Sequence, residues 1–456
     1  MANACDQYLR DHEGEHLDQL KELLRIPSVS ALPQHRDDVL RAAEWVAGHL
    51  RAIGVPDVAL LPTAGNPVVF GAWIVDPSKP TAMVYGHYDV QPPDPLDLWL
   101  TPPFEPTERD GKLYARGASD DKGNLFVALK GLEAVVATQG RPPVNLKFFF
   151  EGEEEVGSPS LPVFVHAERE RLACDFIISA DGSMFAPDRP SLTLASKGLA
   201  ACQINVRTAS GDMHSGQFGA AVPNAVQAII QLAASFHTPD GRVAVEGFYD
   251  TVRDLTPEDR AELAAVPLDE EEYRQRVGAR ALWGEPGYRA IERTSARPTL
   301  DLNGVWGGFQ GAGIKTVTPA EAHVKVTCRL VPEQEPGQIL ELIERHVARH
   351  CPPTATCTVD RFAGSARPFK ISREHPALQK ANVVLGDLYD RDPLMVRLGG
   401  TLPVADIFQR ELGADIIFFA WGMPDSQVHA PNESFRLDSF RQAPRAWCAY
   451  LDALAE

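Results

Sequence analysis

The chain has 456 residues, of which 44% are hydrophobic and 23% charged, and it carries a net charge of −18. This length accommodates two domains with a full core, and the acidic surplus excludes nucleic acids and anionic membrane surfaces as partners. We do not expect the polar N-terminus to be a signal peptide, and no apolar run is long enough to span a membrane. The seven cysteines are dispersed without a Cys-x-x-Cys pair. We therefore expect a cytoplasmic protein with reduced thiols.

The first predicted elements alternate between helices and short apolar strands. Residues 37–54 form the first clear helix, and Gly54 suits the position that follows a helix. The apolar stripe of this helix comprises Val39, Leu40, Ala43, Val46, Ala47, Leu50 and Ile53. The predicted strands are the apolar runs "PVVFGAWIV", "TAMVYG", "NLKFFF" and "CDFIISA", and "DIIFFAW" near the C-terminus. Continuous apolar character predicts strands that are buried on both faces, as in an α/β sheet.

A segment of different character lies between these strands. It contains three predicted strands, "LAACQINVRT", "AHVKVTCRLV" and "ATCTVDRF", and predicted helices near 222–236 and over 336–350. The order strand-helix-strand-helix-strand is typical of a small split βαβ domain. The charged stretch 237–297 is predicted to be an irregular insertion with some helix. We therefore predict one domain from residues 1–193 and 372–456, interrupted by a smaller domain at 194–371.

Acidic and histidine side chains follow several predicted strands at the point where each strand ends. They are His87 and Asp89, Glu151 and Glu153 to Glu155, Asp181, the loop residue His429, and Asp120 and Asp121 in "ARGASDDKGN". Because ligands bind at the carboxyl ends of strands in an open α/β sheet, we expect these side chains to meet at one rim. Carboxylates packed so closely repel one another unless a cation lies between them, and mixed His and Asp/Glu ligands suit zinc, manganese or cobalt.

Each of these residues has a simpler explanation when it is taken alone. An acidic run is usually a solvated loop, Asp120 and Asp121 suit a turn or a helix cap, and a single histidine on a loop usually has no special role. Their joint occurrence at strand ends favours a metal site. Motifs for a serine nucleophile, a His-Glu-x-x-His zinc helix, a phosphate-binding loop and a dinucleotide fold are absent from the sequence.

A set of longer motifs occurs in order along the chain: "GHYDV", "ARGASDDKG", "EGEEEVGS", "ADG", "GDMHSG", "GIKTVTP", "RLVP", "GGTLPV" and "HAPNE". Together they resemble the M20 family of co-catalytic metallopeptidases, which includes carnosine dipeptidases, glutamate carboxypeptidase, aminoacylase and succinyl-diaminopimelate desuccinylase. The resemblance extends from about residue 20 to the C-terminus. "EGEEEVGS", "KTVTP" and "RLVP" are most similar to the cytosolic dipeptidase branch.

The resemblance implies a fold and a metal site. The fold is an α/β metallopeptidase catalytic domain with a mostly parallel central sheet, interrupted by a smaller α+β, ferredoxin-like lid and dimerisation domain. Two divalent metal ions are implied per subunit, zinc first, with manganese or cobalt as alternatives. The implied ligands are His87, Asp120 and Asp181 for one ion, and Asp120, Glu155 and His429 for the other, with Asp120 bridging. The family also has a cis peptide after the bridging aspartate, here Asp120–Asp121.

The resemblance also implies roles in catalysis. Asp89 would orient the ring of His87, and Glu154 would be the general base, and later the general acid, for a metal-bridging water. His214 of the lid domain would donate to the oxyanion in the active site of the other subunit of a homodimer, although a structural turn is its simpler explanation. Substrate binding is implied for His214, Thr316, Arg329, Gly400 and Thr401.

Arg329 in "CRLVP" is the implied clamp for the C-terminal carboxylate of the substrate, since a guanidinium fork binds a carboxylate better than an ammonium group does. A surface ion pair is the simpler explanation of this arginine. The predicted function is the hydrolysis of dipeptides or similarly short peptides. An N-acyl-amino-acid amidohydrolase of the same family is the alternative, and a non-catalytic scaffold is disfavoured because Glu154 and all the implied metal ligands are present.

Overall fold

The computed structural model describes residues 2–456, which form two compact units. The first unit contains the residues up to Leu194 together with Ile371–Met395 and Ile407–Glu456. The second unit contains Ala195–Lys370 and Val396–Asp406. The segment Val396–Asp406 thus belongs to the second unit, whereas the sequence groups it with the rest of 372–456. The assignment of a catalytic domain and a lid domain stays a prediction.

Eighteen strands are present among the described residues. In chain order they are β1 Asp57–Leu61, β2 Val68–Trp73, β3 Thr81–His87, β4 Thr107–Arg109, β5 Lys112–Tyr114, β6 Asn145–Glu151, β7 Phe176–Ser179, β8 Ser191–Ser196, β9 Gly198–Arg207, β10 Met213–His214, β11 Thr299–Gly307, β12 Val317–Thr318, β13 Glu321–Leu330, β14 Thr356–Arg361, β15 Phe369–Lys370, β16 Leu394–Leu398, β17 Asp415–Phe418 and β18 Ser434–Arg436.

Fifteen α-helices accompany these strands within residues 2–456. They are α1 Ala2–Asp11, α2 Glu13–Leu24, α3 Arg36–Ile53, α4 Lys122–Gln139, α5 Leu161–Ala167, α6 Arg169–Leu172, α7 Ser215–Phe218, α8 Ala225–Ala234, α9 Pro257–Ala265, α10 Glu270–Arg276, α11 Ala290–Ala296, α12 Pro336–His350, α13 Pro376–Tyr389, α14 Pro403–Leu412 and α15 Leu437–Leu454. No helix in this part of the chain has the length and apolar character needed to cross a membrane.

The first unit is built on a six-stranded sheet with the order β1-β2-β6-β3-β7-β17. Strands β6, β3, β7 and β17 run parallel to one another, and β2 and β1 extend the sheet in antiparallel fashion. Every apolar run that was predicted to be a strand contributes to this sheet, and the central strands are buried almost throughout. The prediction of a mostly parallel sheet is confirmed.

Helix α3 shows how local sequence sets an element of this unit. Gly54 follows the helix with φ +100°, a left-handed conformation that glycine adopts without strain, so the helix ends where it was predicted to end. The predicted apolar stripe is wrong at one position, because Leu40 is 42% exposed. Ala42 is buried in its place. Helix α4, by contrast, is buried on nearly all sides and packs against α15 and β3.

The second unit contains a four-stranded antiparallel sheet with the order β11-β13-β9-β14. Helices α8 and α12 cover one face of it with a shared apolar core. The chain order β9-α8-β11-β13-α12-β14 is the βαββαβ order of a ferredoxin-like fold. Strand β11 was not predicted, because it is an edge strand with a register shift between Leu302 and Gly304 and without regular alternation of burial.

The cysteines differ in part from the prediction of reduced thiols. Cys351 and Cys357 form a disulfide, because the chain turns at Pro352 after α12 and re-enters the sheet in β14, which brings the two Cα atoms to 6.1 Å. The other cysteines within residues 2–456 are free thiols, four of them buried. The prediction is therefore wrong for this one pair.

Candidate metal centre

The parallel sheet of the first unit brings the predicted metal ligands together at the ends of its strands. His87 is the last residue of β3 and lies opposite Glu151, the last residue of β6. Asp181 lies two residues beyond β7, the other neighbour of β3. Asp120 immediately precedes the N-cap of α4, and His429 lies in the loop between β17 and β18. The strand ends therefore converge at one rim, as the sequence predicts.

Two groups of side chains at this rim could each hold a metal ion. One comprises His87, Asp120 and Asp181, and the other Asp120, Glu155 and His429, with the ligand atoms of each group within 4.8 Å of one another. Asp120 is common to both groups. Its Oδ1 lies 3.1 Å from Nε2 of His87, and its Oδ2 lies 2.9 Å from Nε2 of His429. One carboxylate thus faces both imidazoles, which is the arrangement that a bridging ligand requires.

The surroundings of His87 fix the orientation of its ring. Its Nδ1 lies 3.2 Å from the backbone oxygen of Asp89 and 3.4 Å from Oδ1 of the same residue. Because both neighbours of Nδ1 are oxygens, this nitrogen carries a proton and donates it, and Nε2 is left as the ligand nitrogen. The ring is fully buried, so it has little freedom to turn away from Asp120.

Asp89 also holds the acidic loop that follows β6. Its carboxylate oxygens accept the backbone N–H groups of Glu154 at 3.3 Å and Glu155 at 3.2 Å. The same buried side chain therefore positions a histidine of one ligand group and a glutamate of the other. Glu155 is further held by Gln91, whose Nε2 donates to Oε2 of Glu155 at 2.8 Å.

The charges of the cluster are mutually compensating. Burial raises the pKa of Asp181 to about 6, opposed by His87 and assisted by Asp120 and Glu155. Although burial favours the protonated form of Asp120, hydrogen bonds from His429 and His87 hold its pKa well below the ordinary range. Hydrogen bonds to Asp120 and Glu155 raise the pKa of His429 to about 10. A divalent cation is a natural replacement for the protons that these groups share.

Glu154 lies beside the ligand groups in a short 3₁₀ turn, Glu154–Val156. Burial raises its pKa well above the ordinary value, His87 opposes this, and the negative charges of Asp181 and Glu155 add to it. A carboxylate with a raised pKa is a stronger proton acceptor, which suits a general base.

Asp120–Asp121 is a cis peptide, as the family resemblance implied.

The second unit contains the predicted substrate-binding residues. His214 and Thr316 are brought together by the β10–β12 ladder, in which His214 pairs with Val317, and the N–H of Ser215 donates to the backbone oxygen of Thr316. The side chain of His214 is exposed within its own unit, and its Nδ1 accepts the N–H of Gly216 at 3.1 Å. Since Nδ1 is an acceptor, Nε2 carries the proton and is a free donor.

The remaining predicted residues form a second cluster in this unit. Arg329, near the end of β13, donates from Nη1 to Oγ1 of Thr401 at 2.6 Å. The backbone oxygen of Gly400 accepts the N–H of Lys197 at 3.0 Å. The partner of Arg329 is thus the neutral hydroxyl of Thr401, and this contact is not a surface ion pair.

Asp121 was placed at the rim by the sequence analysis without a role of its own, and Gln91 was missed. Asp121 occupies the N-cap position of α4, yet its side chain makes no cap hydrogen bond and instead accepts the N–H of His87 at 3.1 Å. Gln91 holds Glu155 from the loop that follows "GHYDV". Neither contact has a signal in the sequence, because each joins residues far apart in the chain.

Comparison with known proteins shows similarity over nearly the whole chain. A family model described as peptidase family M20/M25/M40 matches residues 83–453. The human beta-Ala-His dipeptidase is 29% identical over 472 residues, which cover 99% of this chain and 92% of the relative. The Cys-Gly metallodipeptidase dug1 of Schizosaccharomyces pombe is 30% identical over 458 residues, which cover 97% of this chain and 96% of the relative.

A solved structure shows the same similarity in three dimensions. The M20 family metallo-carboxypeptidase Sso-CP2 from Sulfolobus solfataricus superposes with a TM-score of 0.83 at 30% identity, and the match covers 97% of this chain and 99% of that one. The arrangement of the elements is therefore shared with a protein of known fold.

Proposed function

Because the chain belongs to peptidase family M20/M25/M40, we propose that it is a metallodipeptidase that hydrolyses the peptide bond of dipeptides or similarly short peptides. The observation that carries the proposal is the position of Asp120, whose two oxygens face His87 and His429 from one carboxylate. The names of the relatives, two dipeptidases, favour short peptides over N-acyl amino acids as substrates.

We propose two divalent cations per subunit, with zinc first and manganese or cobalt as alternatives. The donors fit this choice, since two imidazole nitrogens and three carboxylates suit cations of intermediate softness. His87, Asp120 and Asp181 would hold one cation, and Asp120, Glu155 and His429 the other. When bound, such a pair lowers the pKa of a coordinated water and polarises the scissile carbonyl.

Glu154 is the proposed general base and acid. Its carboxylate accepts the proton of the attacking water and later delivers that proton to the departing amine. Asp89 holds Glu154 in place through the backbone and at the same time fixes the proton on Nδ1 of His87. Asp89 thus keeps the proposed base Glu154 at a fixed distance from the proposed ligand His87.

His214 is the proposed donor to the oxyanion that develops on the substrate carbonyl. The hydrogen bond from Gly216 to Nδ1 leaves an N–H on Nε2, which is the form that a donor needs. Gly216 also has a steric role, because a Cβ at this position would lie 2.9 Å from the ring of His214. Thr316, which lies beside His214, would contact nearby substrate atoms.

We propose that the working form is a homodimer. Strand β11 lies at the edge of the sheet in the second unit, and its Leu302 and Val305 are 38% and 49% exposed. Ile230 on α8 is 55% exposed. An exposed edge strand with apolar side chains is a favourable surface for pairing with a second copy. In such a dimer, His214 of one subunit would serve the active site of the other.

We propose the cytoplasm as the working compartment, which the free thiols support. The disulfide between Cys351 and Cys357 is the feature that favours an oxidising compartment instead. The proposed partner is a small peptide rather than a nucleic acid or a membrane, in keeping with the net charge of −18.

The test of this function is the hydrolysis of a small panel of substrates by protein stripped of metal and then reloaded with zinc, manganese or cobalt. Dipeptides of the Ala-Leu type are expected to be cleaved, and the stripped protein is expected to be inactive because the proposed ligands then hold no cation. Product amines are measured with a colorimetric reagent. Cleavage of N-acetyl amino acids in the absence of dipeptide cleavage would favour the amidohydrolase instead.

Arg329 provides a second test, which concerns the carboxylate of the substrate. Arg329→Ala is expected to raise KM strongly for free dipeptides and much less for their C-terminal amides, since an amide gives the guanidinium no negative charge to bind. Steady-state kinetics on the two substrate series measures the difference.

Arg207→Ala is the matched control, because Arg207 lies on β9 of the same sheet, is exposed and pairs with Glu321. This control is expected to leave KM unchanged. An equal rise of KM on dipeptides and on their amides would show that Arg329 serves the fold and not recognition.

A further inference from the structure

Glu433 is a buried carboxylate that binds the segment carrying the shared ligand Asp120. The residue is 0% exposed. Its Oε2 accepts from Nη1 of Arg116 at 2.7 Å and from the N–H of Gly117 at 2.9 Å. Its Oε1 accepts from the N–H of Ser119 at 2.9 Å and from the N–H of Asp120 at 3.0 Å. Both oxygens are therefore bound to one short stretch of chain, residues 116–120.

Glu433 also belongs to the loop that carries His429, the histidine of the second ligand group. The two segments are joined by the backbone as well, since the N–H of Ala115 donates to the backbone oxygen of Glu433 at 3.1 Å. Because the site needs Asp120 to face His429 at 2.9 Å and His87 at 3.1 Å, a small movement of either segment would separate ligand atoms in both groups. A contact that fixes one segment against the other thus acts on both metal sites.

The number of donors exceeds what a simple ion pair requires. A buried carboxylate is costly unless its oxygens are well satisfied, and an arginine alone can satisfy one with two parallel bonds. Arg116 instead contributes one bond to Glu433 and directs Nη2 to the backbone oxygen of Pro92 at 3.2 Å. The other bonds of Glu433 all come from the backbone, and one of them comes from the ligand Asp120 itself.

We propose that Glu433 is a positioning residue that sets the affinity of both metal sites by holding the Asp120 segment against the His429 loop. The inference rests on the proposed function, because it assumes that Asp120 and His429 are metal ligands. It differs from a general contribution to stability in one respect. Loss of Glu433 affects metal binding more than it affects the rest of the fold.

The variant Glu433→Gln tests this proposal, because it replaces one of the two accepting oxygens with an NH₂ group, which is a donor. The remaining amide oxygen can keep the two hydrogen bonds of one carboxylate oxygen, and the other two are lost. We expect the affinity for zinc to fall about 10-fold or more, the usual scale for residues that support metal ligands. Competition for zinc between the metal-stripped protein and a chromophoric chelator measures the binding constants of both metal sites. At saturating zinc the activity is expected to recover, since Glu433 is fully buried and its side chain binds residues 116–120.

Glu285→Gln is the matched control. Glu285 is a buried carboxylate of the second unit that binds Arg297 through two parallel bonds of 2.8 and 2.9 Å, so its loss disturbs a comparable ion pair away from the proposed ligands. This variant is expected to lose thermal stability and keep the zinc affinity of wild type. Equal zinc affinities of folded Glu433→Gln and wild type would overturn the proposal, as would an equal loss in the control.

Two further measurements keep the outcome decisive. Wild-type protein that binds no pair of cations would refute the proposed function itself, whereas wild-type binding with an unaffected Glu433→Gln would refute only the role of Glu433. If the glutamine variant does not fold, Glu433→Asp takes its place. Aspartate keeps the charge and is one methylene shorter, so it cannot reach every donor. Wild-type zinc affinity in the folded aspartate variant would overturn the proposal.

Discussion

Replacing Glu154 with glutamine is expected to lower kcat by at least about 10²-fold, the usual scale of general acid–base catalysis, while both cations stay bound. Glutamine keeps the size of the side chain and its backbone contact with Asp89, but it cannot accept the proton of the attacking water. Turnover of a dipeptide measures the fall in kcat. Mass spectrometry of the same preparation measures whether both cations stay bound.

Two variants frame this experiment. Glu153→Gln changes the preceding carboxylate, which accepts the N–H of Asn66 at 3.3 Å, and it is expected to keep nearly full activity. Asp120→Ala deletes the ligand common to both groups and is expected to lose metal and activity together. Turnover at the wild-type rate by a metal-loaded Glu154→Gln protein would remove Glu154 from the mechanism.

Mixing two inactive variants is expected to restore activity if the enzyme is a dimer with shared sites. His214→Ala and Glu154→Gln are each expected to be nearly inactive, since the loss of one oxyanion donor typically lowers kcat by about 10²–10³-fold. In a mixed dimer, one active site combines an intact Glu154 with the partner's intact His214. Activity per mixed dimer should then approach half that of the wild type, which is measured after subunit exchange.

The control for this mixture is subunit exchange itself, followed by mass spectrometry of differently tagged chains. Gly216→Ala is a second control, because its Cβ would press on the ring of His214 without removing the imidazole, so this variant should behave like a weakened His214→Ala. If exchange is complete and the mixture is no more active than its components, His214 serves its own chain or has no catalytic role.

The sheet of the first unit and the rim that it forms could be predicted from the sequence for one physical reason. Strands such as Thr81–His87 and Asn145–Glu151 are buried on both faces, so they appear as unbroken apolar runs, and the polar residue that ends each run marks the rim. The roles of individual residues came from motif resemblance and stay predictions. The geometry adds that Asp120 faces both histidines.

Other features depend on contacts that a local pattern does not record. Strand β11 is an irregular edge strand, so its apolar residues do not alternate. Leu40 fits the helical stripe, yet the surface that covers α3 buries Ala42 instead. The bonds of Glu433 to residues 116–120 connect positions more than 300 apart in the chain. In each case tertiary packing determines which residues are buried or paired, and the neighbouring residues in the sequence do not indicate it.

The pairing of β17 with β7 has a consequence for how the protein is made. Phe176–Ser179 emerges from the ribosome early, but its parallel partner Asp415–Phe418 is translated only after the entire second unit. Until then the nascent chain presents β7 as an open sheet edge, which is a site for mispairing and for chaperone binding. His429 and Glu433 follow later still. Translation therefore completes the proposed metal centre only near the end of the chain, because His429 is the last of its ligands to be made. A prematurely terminated chain would be an aggregation hazard without peptidase activity.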